Sequence, residues 1–404
     1  MKTPTQPLSA LEQPLKLRIF ISTGEVSGDL QGALLIHALQ RQAASRGYAL
    51  EIVATGGDRM AQAGATLLGN TSAIGAVGIL ESLPYLVPTL RLQGRVKQYL
   101  RNHPPDLAVL IDYMGPNLAI GSYLRQTFSR LPLVYYIAPQ QWVWGAFLER
   151  DTRRILDVSD RLLAIFPEEA KFYQRYGGAV TWVGHPLIDR IPHPPDRQQA
   201  RAKLGLAADA TVVTLLPASR QQELRYLLPV ILKAAQQIQA QLPAVQFLIP
   251  ASLPQFQQTI QQAIAHYQLS NASLTADSQT AIAAADLAIT KSGTVNLEIA
   301  LMNVPQVVCY RLNPVTAWVA QHLLNFSAPF ISPVNLVEMR SVVPEFLQWQ
   351  ATPAALATAA LTLLLNEDKQ QQMLANYQSI RQTLGEPGVC DRAAAAIFEV
   401  LLAA

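Results

Sequence analysis

The chain has 404 residues, half of them hydrophobic, which is enough for two or three domains with large cores. Its net charge of +3 and the absence of any Lys/Arg block argue against nucleic-acid binding. No secretory signal or apolar run long enough to span a membrane is present, and Cys309 and Cys390 are too far apart in sequence to indicate a disulfide or metal pair. We therefore expect a cytoplasmic protein, soluble or bound to a membrane surface.

Short apolar runs alternate with helical patterns in the N-terminal half, which is typical of a parallel sheet with helices on both faces. The predicted strands are residues 17–22, 51–55, 66–68, 106–111, 133–137, 162–165 and 180–183. The first strand runs into a loop at residues 23–29 (TGEVSGD), and a helix over residues 30–46 follows. Such a loop lines the crevice at the carboxyl edge of a parallel sheet. Capping of the helix by Ser27 or Asp29 is the alternative explanation.

The segment at residues 74–101 places apolar side chains ahead of a basic stripe. Its candidate membrane contacts are Leu83, Leu86, Leu90, Arg91 and Arg95. Gly75, Gly78 and Pro84 predict that the segment is not one long straight helix. The pattern suits a membrane surface or a lipid-binding groove. A helix that packs on the core and exposes a basic face would give the same pattern.

A carboxylate, Asp112, follows the predicted strand at residues 106–111 and precedes a Gly-Pro loop. A general base needs such a position at the edge of a cleft, close to the proton that it removes. A helix N-cap or a turn residue is the alternative interpretation of Asp112.

A Pro-rich stretch at residues 191–196 predicts a domain boundary, after which the strand–helix alternation restarts. The predicted strands of this second half are residues 212–216, 246–250, a strand near 274, 287–289 and 306–310. Residues 313–343 read as irregular and broken by proline, and helices follow. We divide the chain into residues 1–188, 189–375 and 376–404. Two similar halves of this kind form a cleft between their sheet edges.

The turn after the strand at residues 287–289 reads Ser292-Gly293-Thr294 and leads into a helix. Unpaired N–H groups and the helix dipole at such a turn favour an anion such as phosphate. Glu298 lies one turn into the helix, where a carboxylate would repel phosphate and suits the hydroxyl pair of a ribose better. Arg220 lies at another strand-to-helix turn, where its guanidinium could bind a diphosphate. An ordinary helix cap and a surface arginine explain the same residues.

One ordered set of motifs extends from about residue 17 to residue 402. It consists of Gly24-Glu25-Val26-Ser27-Gly28-Asp29, Val77-Gly78 with Glu81, Ile111-Asp112 with Asn117, Pro139 with Trp142 and Trp144, Gly184-His185-Pro186, Leu215-Leu216-Pro217 with Ser219-Arg220, Ser292-Gly293-Thr294 with Glu298, Tyr310-Arg311, and Asn335-Leu336 with Glu345. In these motifs the chain resembles the lipid-A-disaccharide synthases, a glycosyltransferase family. The resemblance implies the GT-B fold: two Rossmann-like parallel-sheet domains facing across a cleft, with C-terminal helices packing on the N-terminal domain or a partner.

The resemblance also implies an activity. The donor would be UDP-2,3-diacylglucosamine, the acceptor 2,3-diacylglucosamine 1-phosphate, and the products UDP and a β-1,6-linked disaccharide 1-phosphate of lipid A biosynthesis, formed with inversion. The catalytic base would be Asp112. The donor-binding residues would be Ser219, Arg220, Ser292, Gly293, Thr294, Glu298, Arg311 and Asn335, and the acceptor-binding residues Glu25, Ser27, Gly28, Asp29 and Asn117.

Because the sequence contains no DxD-type carboxylate pair or His cluster, we expect no metal and no cofactor. The segment at residues 74–101 would lie on the inner face of the plasma membrane, where acylated substrates reside. The sequence leaves a homodimer open.

Three departures from the family pattern keep rival functions open. Met114 and Gly115 replace a Pro and an Asp, Ala218 replaces a Gly, and Ala138 and Gln140 replace small hydroxyl residues. One rival is an epimerase, or a transferase with another acceptor, that also uses a UDP-sugar. The other is a UDP-sugar- or lipid-binding protein without turnover.

Overall fold

The computed structural model describes residues 15–24, 26–71, 79–144, 149–251, 253–322 and 329–403. Within them the chain forms two parallel sheets, one from each half, so the predicted fold class is confirmed. Glu25 and residues 74–78 of the predicted membrane segment lie outside the described residues.

The first sheet has seven parallel strands in the order β3-β2-β1-β4-β5-β6-β7. Its strands are β1 (Leu15–Ser22), β2 (Tyr48–Gly56), β3 (Thr66–Asn70), β4 (Leu107–Ile111), β5 (Leu133–Tyr136), β6 (Arg161–Ala164) and β7 (Val180–Trp182). Its helices are α1 (Val26–Ser45), α2 (Asp58–Gln62), α3 (Ile79–Asn102), α4 (Met114–Thr127), α5 (Gln141–Trp144), α6 (Glu149–Val158), α7 (Pro167–Arg175) and α8 (Leu187–Arg190). The central strands β4 and β5 are buried along their whole length because helices cover both faces of the sheet.

The second sheet has six parallel strands in the order β10-β9-β8-β11-β12-β13. Its strands are β8 (Val212–Leu216), β9 (Gln246–Pro250), β10 (Ala272–Thr275), β11 (Leu287–Lys291), β12 (Gln306–Tyr310) and β13 (Glu345–Leu347). Its helices are α9 (Arg197–Lys203), α10 (Gln221–Gln241), α11 (Gln257–His266), α12 (Ser278–Ala284), α13 (Val295–Leu301), α14 (Pro314–His322), α15 (Pro333–Glu338), α16 (Pro353–Leu365) and α17 (Glu367–Leu384).

The last helix, α18 (Val389–Ala403), returns to the first domain and packs on α1. Asp189 receives hydrogen bonds from the N–H groups of Gly388, Val389 and Cys390 at 2.6–3.0 Å and so caps this helix. The helix α18 therefore lies on the first domain of its own chain. The predicted division after residue 375 is wrong, because it falls inside α17, which packs on α13 and α15 of the second domain.

Three local predictions also need correction. The helix α1 begins at Val26, so the first-turn residues Gly28 and Asp29 are helical and the loop before them is shorter. The helix α3 continues through Pro84, where an interruption was expected. Residues 313–343, expected to be irregular, contain α14 and α15, and β13 follows them. Short helices that begin at proline contain too few residues to show a periodic pattern of apolar side chains, so the sequence does not indicate them.

Candidate active site

A cavity lies between the carboxyl edges of the two sheets. The residues that line it include Ser27, Gly28, Gln31, Asp112, Ile137, Phe166 and His185 from the first domain and Thr294, Leu297 and Pro333 from the second. The structure thus brings Ser27, Gly28 and Asp112 together with Thr294, which were predicted to face each other across a cleft.

The loop that carries Asp112 has an unusual backbone. Asp112, Tyr113 and, on the neighbouring strand end, Ile137 have φ angles of 47°, 49° and 57°. This left-handed region disfavours residues with a side chain and costs about 1–3 kcal/mol per residue, so it persists only where the surroundings enforce it. Such strain is found at functional sites. Two of the three residues with this strained backbone, Asp112 and Ile137, line the cavity.

Asn117 enforces this conformation from beneath. Its Nδ2 donates to the carbonyl oxygens of Ile111 at 3.0 Å and Asp112 at 2.8 Å, and its Oδ1 accepts from the Ser22 hydroxyl at 2.7 Å. The Tyr135 hydroxyl donates to the same Asp112 carbonyl at 2.8 Å. Asn117 is completely buried, so the structure places it under the Asp112 loop and away from the cavity where acceptor contact was expected.

Two glycines allow the first strand-to-helix loop to pack closely. A Cβ at Gly24 would lie 1.9 Å from the Tyr113 ring, and a Cβ at Gly28 would lie 1.9 Å from Thr23 Oγ1. Asp29, predicted to face the acceptor, is buried and accepts from the N–H groups of Gly57 at 2.8 Å and Met60 at 3.1 Å. It therefore holds the start of α2.

A buried carboxylate that the sequence analysis did not single out, Glu169, ties together the loops around the cavity. It accepts from the N–H groups of Ala138 at 3.2 Å, Ile165 at 2.8 Å and Phe166 at 3.2 Å. Burial raises the pKa of Glu169 to about 8, although these N–H groups favour the ionised form. Its place after Phe166-Pro167 is typical of a first helical turn, but nothing local in the sequence indicates its contact with Ala138.

His185 lines the cavity as a neutral side chain. Burial lowers the pKa of His185 to about 3. Its Nδ1 lies 3.2 Å from the Leu187 N–H and accepts a hydrogen bond from it, which assigns the proton to Nε2. The neutral His185 therefore carries an N–H donor at Nε2.

On the second domain, Glu223 gathers two cations at the ends of β8 and β11. Its Oε1 lies 3.3 Å from Arg220 Nη1 and 3.5 Å from Lys291 Nζ. Its Oε2 accepts from the Ser219 N–H at 2.7 Å and the Ser219 hydroxyl at 3.1 Å. The predicted donor residues Arg220 and Ser219 thus share one carboxylate with Lys291. The spacing Arg220-x-x-Glu223 is that of a capping box, with Arg220 at the N-cap, and this spacing is the local sequence signal for Glu223.

The turn at Ser292-Gly293-Thr294 differs from the expected anion site in one respect. The Ser292 N–H donates to the Cys309 carbonyl at 3.1 Å, and the Gly293 N–H donates to Asn296 Oδ1 at 3.0 Å. These two N–H groups already have protein acceptors, so the expectation that they are open to phosphate is wrong. Positive charge at this edge comes from the Arg220 and Lys291 side chains.

Glu298 lies on α13 and forms an ion pair with Arg190, at 3.0 Å between Oε1 and Nη1. The Glu298 side chain is only 12% exposed. Burial raises the pKa of Glu298, while the charges of Arg190 and Arg59 act in the opposite direction. Arg190 was not predicted, because the pair links residues 108 positions apart.

The remaining predicted donor residues are held by protein groups on the β12 side of this domain. Arg311 Nε donates to the Gln348 carbonyl at 3.1 Å. Asn335 is completely buried, donates to Glu345 at 2.9 Å and accepts from the Val343 N–H at 2.9 Å. The structure therefore places Asn335 inside the protein, on the helix α15, whose first residue Pro333 lines the cavity.

Two of the departures from the family pattern, Ala218 and Gly115, fit their local backbone. Ala218 is not among the residues with positive φ in the described chain, so the turn before Arg220 does not require glycine. Gly115 lies in the first turn of α4, and a Cβ there would have no neighbour within 4 Å.

The helix α3 has two apolar faces. Leu92, Val96 and Leu100 are buried against the first domain. Leu86 and Leu90 are 54% and 58% exposed. The exposed leucines are one helical turn apart and therefore lie on one side of the helix. The basic residues Arg91 and Arg95 are also exposed. The side chain of Leu83 lies outside the described residues.

Two features are absent from the part of the chain that the structure describes. No group of three or more His, Cys, Asp or Glu side chains is placed to hold a metal ion. No described helix combines the length and the apolar character needed to cross a membrane.

Solved structures of similar fold are sugar-nucleotide enzymes and glycosyltransferases. The S. aureus MnaA–UDP co-structure has a TM-score of 0.65, with 14% identity over 96% of this chain and 97% of that chain. The calicheamicin glycosyltransferase CalG4 has a TM-score of 0.55, with 17% identity over 97% and 99%. At this identity the likeness establishes the fold alone. The fold, two parallel-sheet domains with a cleft between them, is of the GT-B type.

Relatives of higher identity give the family. A family model described as lipid-A-disaccharide synthetase matches residues 19–400. A lipid-A-disaccharide synthase of Synechocystis is 58% identical over 95% of this chain and 98% of its own length, and one of Gloeothece citriformis is 56% identical over 95% and 100%. The chain belongs to the lipid-A-disaccharide synthase family.

Proposed function

We propose that this protein transfers a 2,3-diacylglucosaminyl group from UDP-2,3-diacylglucosamine to 2,3-diacylglucosamine 1-phosphate. The observation that carries the proposal is the position of Asp112, which lines the cleft opposite Thr294 and at the edge of the first sheet. The products are UDP and the β-1,6-linked disaccharide 1-phosphate. The chain's relatives bear the corresponding name.

In the proposed reaction, the acceptor 6-hydroxyl oxygen attacks the donor anomeric carbon from the side opposite UDP. Asp112 accepts the hydroxyl proton as the new C–O bond forms and the bond to the diphosphate oxygen breaks, which inverts the anomeric centre. The bonds to the Asp112 and Ile111 carbonyls make Asn117 a positioning residue for this base. Asp29, which follows Ser27 and Gly28 in α1, has a supporting role because it holds the start of α2.

On the donor side, Arg220 and Lys291 receive the negative charge that develops on the UDP leaving group. Glu223 holds both cations at one place, so little reorganisation is needed when the diphosphate arrives. Glu298 accepts hydrogen bonds from the ribose hydroxyl groups, and Thr294 contacts the donor from the cleft wall. Ser292, Gly293, Arg311 and Asn335 shape this side of the site. We propose no metal in the reaction, since these side chains supply the positive charge.

The acceptor and the membrane lie on the first domain. Ser27, Gly28 and Gln31 line the cavity next to Asp112 and contact the acceptor sugar. The exposed leucines and arginines of α3 rest on the inner face of the plasma membrane, from which both acylated substrates are drawn. The protein is in this proposal cytoplasmic and peripheral.

A coupled assay of UDP release tests the proposal with defined acylated substrates. We expect UDP release when both acylated sugars are present and only slow release with the donor alone. Epimerisation of the donor without an acceptor, or transfer to an unacylated sugar, would assign the cleft to another UDP-sugar reaction. Tight UDP binding without product under any acceptor would indicate a binding protein.

A further inference from the structure

We propose that Arg190 is a positioning residue for Glu298 and thereby makes the site selective for a ribose nucleotide. The inference deepens the proposed function, since it rests on Glu298 as the ribose-binding carboxylate. Arg190 belongs to α8, the short helix that follows the first sheet, whereas Glu298 belongs to α13 of the second domain.

The guanidinium of Arg190 is held by two residues of the second domain. Its Nη1 lies 3.0 Å from Glu298 Oε1. With its side-chain oxygen turned toward Arg190, Gln279 accepts from Nη2 at 3.1 Å and from Nε at 3.2 Å. Because hydrogen bonds hold all three nitrogens of the planar Arg190 guanidinium, this group has a single orientation. The ion pair with the guanidinium then fixes the orientation of the Glu298 carboxylate.

The geometry leaves one carboxylate oxygen for a ligand. Arg190 occupies Glu298 Oε1, and among the described residues no donor contacts Oε2. Leu297 of the same helix and Thr294, its N-cap residue, line the cleft. A carboxylate oxygen only accepts hydrogen bonds, and two adjacent ribose hydroxyl groups supply the donors that match it.

Arg190 also keeps Glu298 in the form that binds hydroxyl groups well. Burial disfavours the ionised carboxylate, and the positive charge of Arg190 opposes that effect. Arg59, on α2 of the first domain, contributes at longer range. Without Arg190, a buried and less ionised carboxylate would rotate more freely and would accept hydrogen bonds less strongly.

The test compares UDP with 2′-deoxy-UDP, because loss of the 2′-hydroxyl removes one donor to Glu298. Binding of both nucleotides is measured by calorimetry on the wild type, Arg190→Gln, Arg190→Lys, Glu298→Gln and the Arg190→Gln/Glu298→Gln double variant. Arg197→Gln is the matched control, since Arg197 forms an exposed ion pair with Asp286 at 3.0 Å.

We expect the wild type and Arg197→Gln to prefer UDP by about tenfold or more, the range of a hydrogen bond to a charged group. Arg190→Gln should reduce this preference to about twofold, Arg190→Lys should restore part of it, and the double variant should bind UDP no more weakly than Glu298→Gln. In turnover, Arg190→Gln should raise the KM for the donor and leave kcat unchanged.

Several results would overturn the inference while the proposed ribose contact stands. One is a Glu298→Gln variant that loses the preference beside an Arg190→Gln variant that keeps it. Another is an equal loss of affinity for both nucleotides in Arg190→Gln, the result of a purely structural role. If Glu298→Gln keeps the full preference for UDP, the ribose contact itself is refuted and this inference falls with it. Should Arg190→Gln fail to fold, Arg190→Lys decides: a preference unchanged from the wild type refutes the inference.

Discussion

The exposed face of α3 gives a quantitative prediction for membrane binding. Full burial of a leucine side chain contributes about 1.5–3 kcal/mol. Leu86 and Leu90 are 54% and 58% exposed, so each can still contribute roughly 1 kcal/mol by entering the lipid interface. The double change Leu86→Ser and Leu90→Ser should therefore weaken membrane binding by about 2 kcal/mol, or roughly 30-fold.

The assay is co-sedimentation with lipid vesicles, made either of neutral lipid alone or of neutral lipid mixed with anionic lipid. The wild type should bind the anionic mixture more tightly, because each arginine near an anionic surface contributes about 1 kcal/mol. The matched control is the pair Leu365→Ser and Leu402→Ser, which are 66% and 59% exposed on α16 and α18. All variants should unfold at nearly the wild-type temperature, since exposed positions carry little packing energy.

Two results would refute the reasoning. Unchanged sedimentation of the α3 variant would mean that the exposed leucines do not enter lipid. An equal loss in the Leu365/Leu402 control would mean that any exposed leucine contributes, so α3 would not be the specific contact.

Four further outcomes follow from the site. Glu223→Gln should lower the free energy of unfolding by about 2–3 kcal/mol in denaturant titrations, because Arg220 and Lys291 lose their shared counter-charge; unchanged stability would contradict this. Because the pKa of His185 is about 3 in the folded protein, a falling pH protonates this residue in the unfolded state first, and the free energy of unfolding should fall between about pH 6.5 and pH 3. In urea titrations, His185→Gln should make this dependence on pH less steep. An unchanged pH dependence in His185→Gln would contradict the assignment to His185. Asn117→Ala should lower kcat by about 10²-fold with little change in UDP affinity, since a displaced base costs rate more than binding; unaltered kcat would remove its positioning role. Chelation by EDTA should leave UDP release unchanged, and a rate restored only by a divalent cation would show that the side-chain cations do not suffice.

The elements of the two sheets were predictable because their strands are short apolar runs that read clearly in the sequence. Burial on both faces makes β4 uniformly hydrophobic and β8 hydrophobic except at Thr214, and the prediction of both strands is confirmed. The short elements α14, α15 and β13 lack such a signal. Pro314 and Pro333 begin the two helices, because proline is well tolerated in a first helical turn, whereas a proline in a sequence otherwise indicates a break.

The candidate site was predictable where function coincides with a strand end. Asp112 follows β4 directly, Thr294 lies three residues after the end of β11, and both line the cleft. The supporting contacts were not predictable, because they depend on residues distant in sequence. Glu298 and Arg190 are 108 positions apart in the sequence, and Asn117 and Ser22 are 95 positions apart, so only the folded structure shows that they are in contact. A polar residue in a motif can equally touch a ligand or hold a loop, and burial decides between the two roles.

The most direct measurement is the rate of UDP release by Asp112→Asn with both acylated sugars present. The account predicts a fall of about 10²–10⁴-fold, the range of a lost general base, with UDP affinity close to that of the wild type. A variant that releases UDP at the wild-type rate would contradict the central claim that Asp112 deprotonates the acceptor across the cleft.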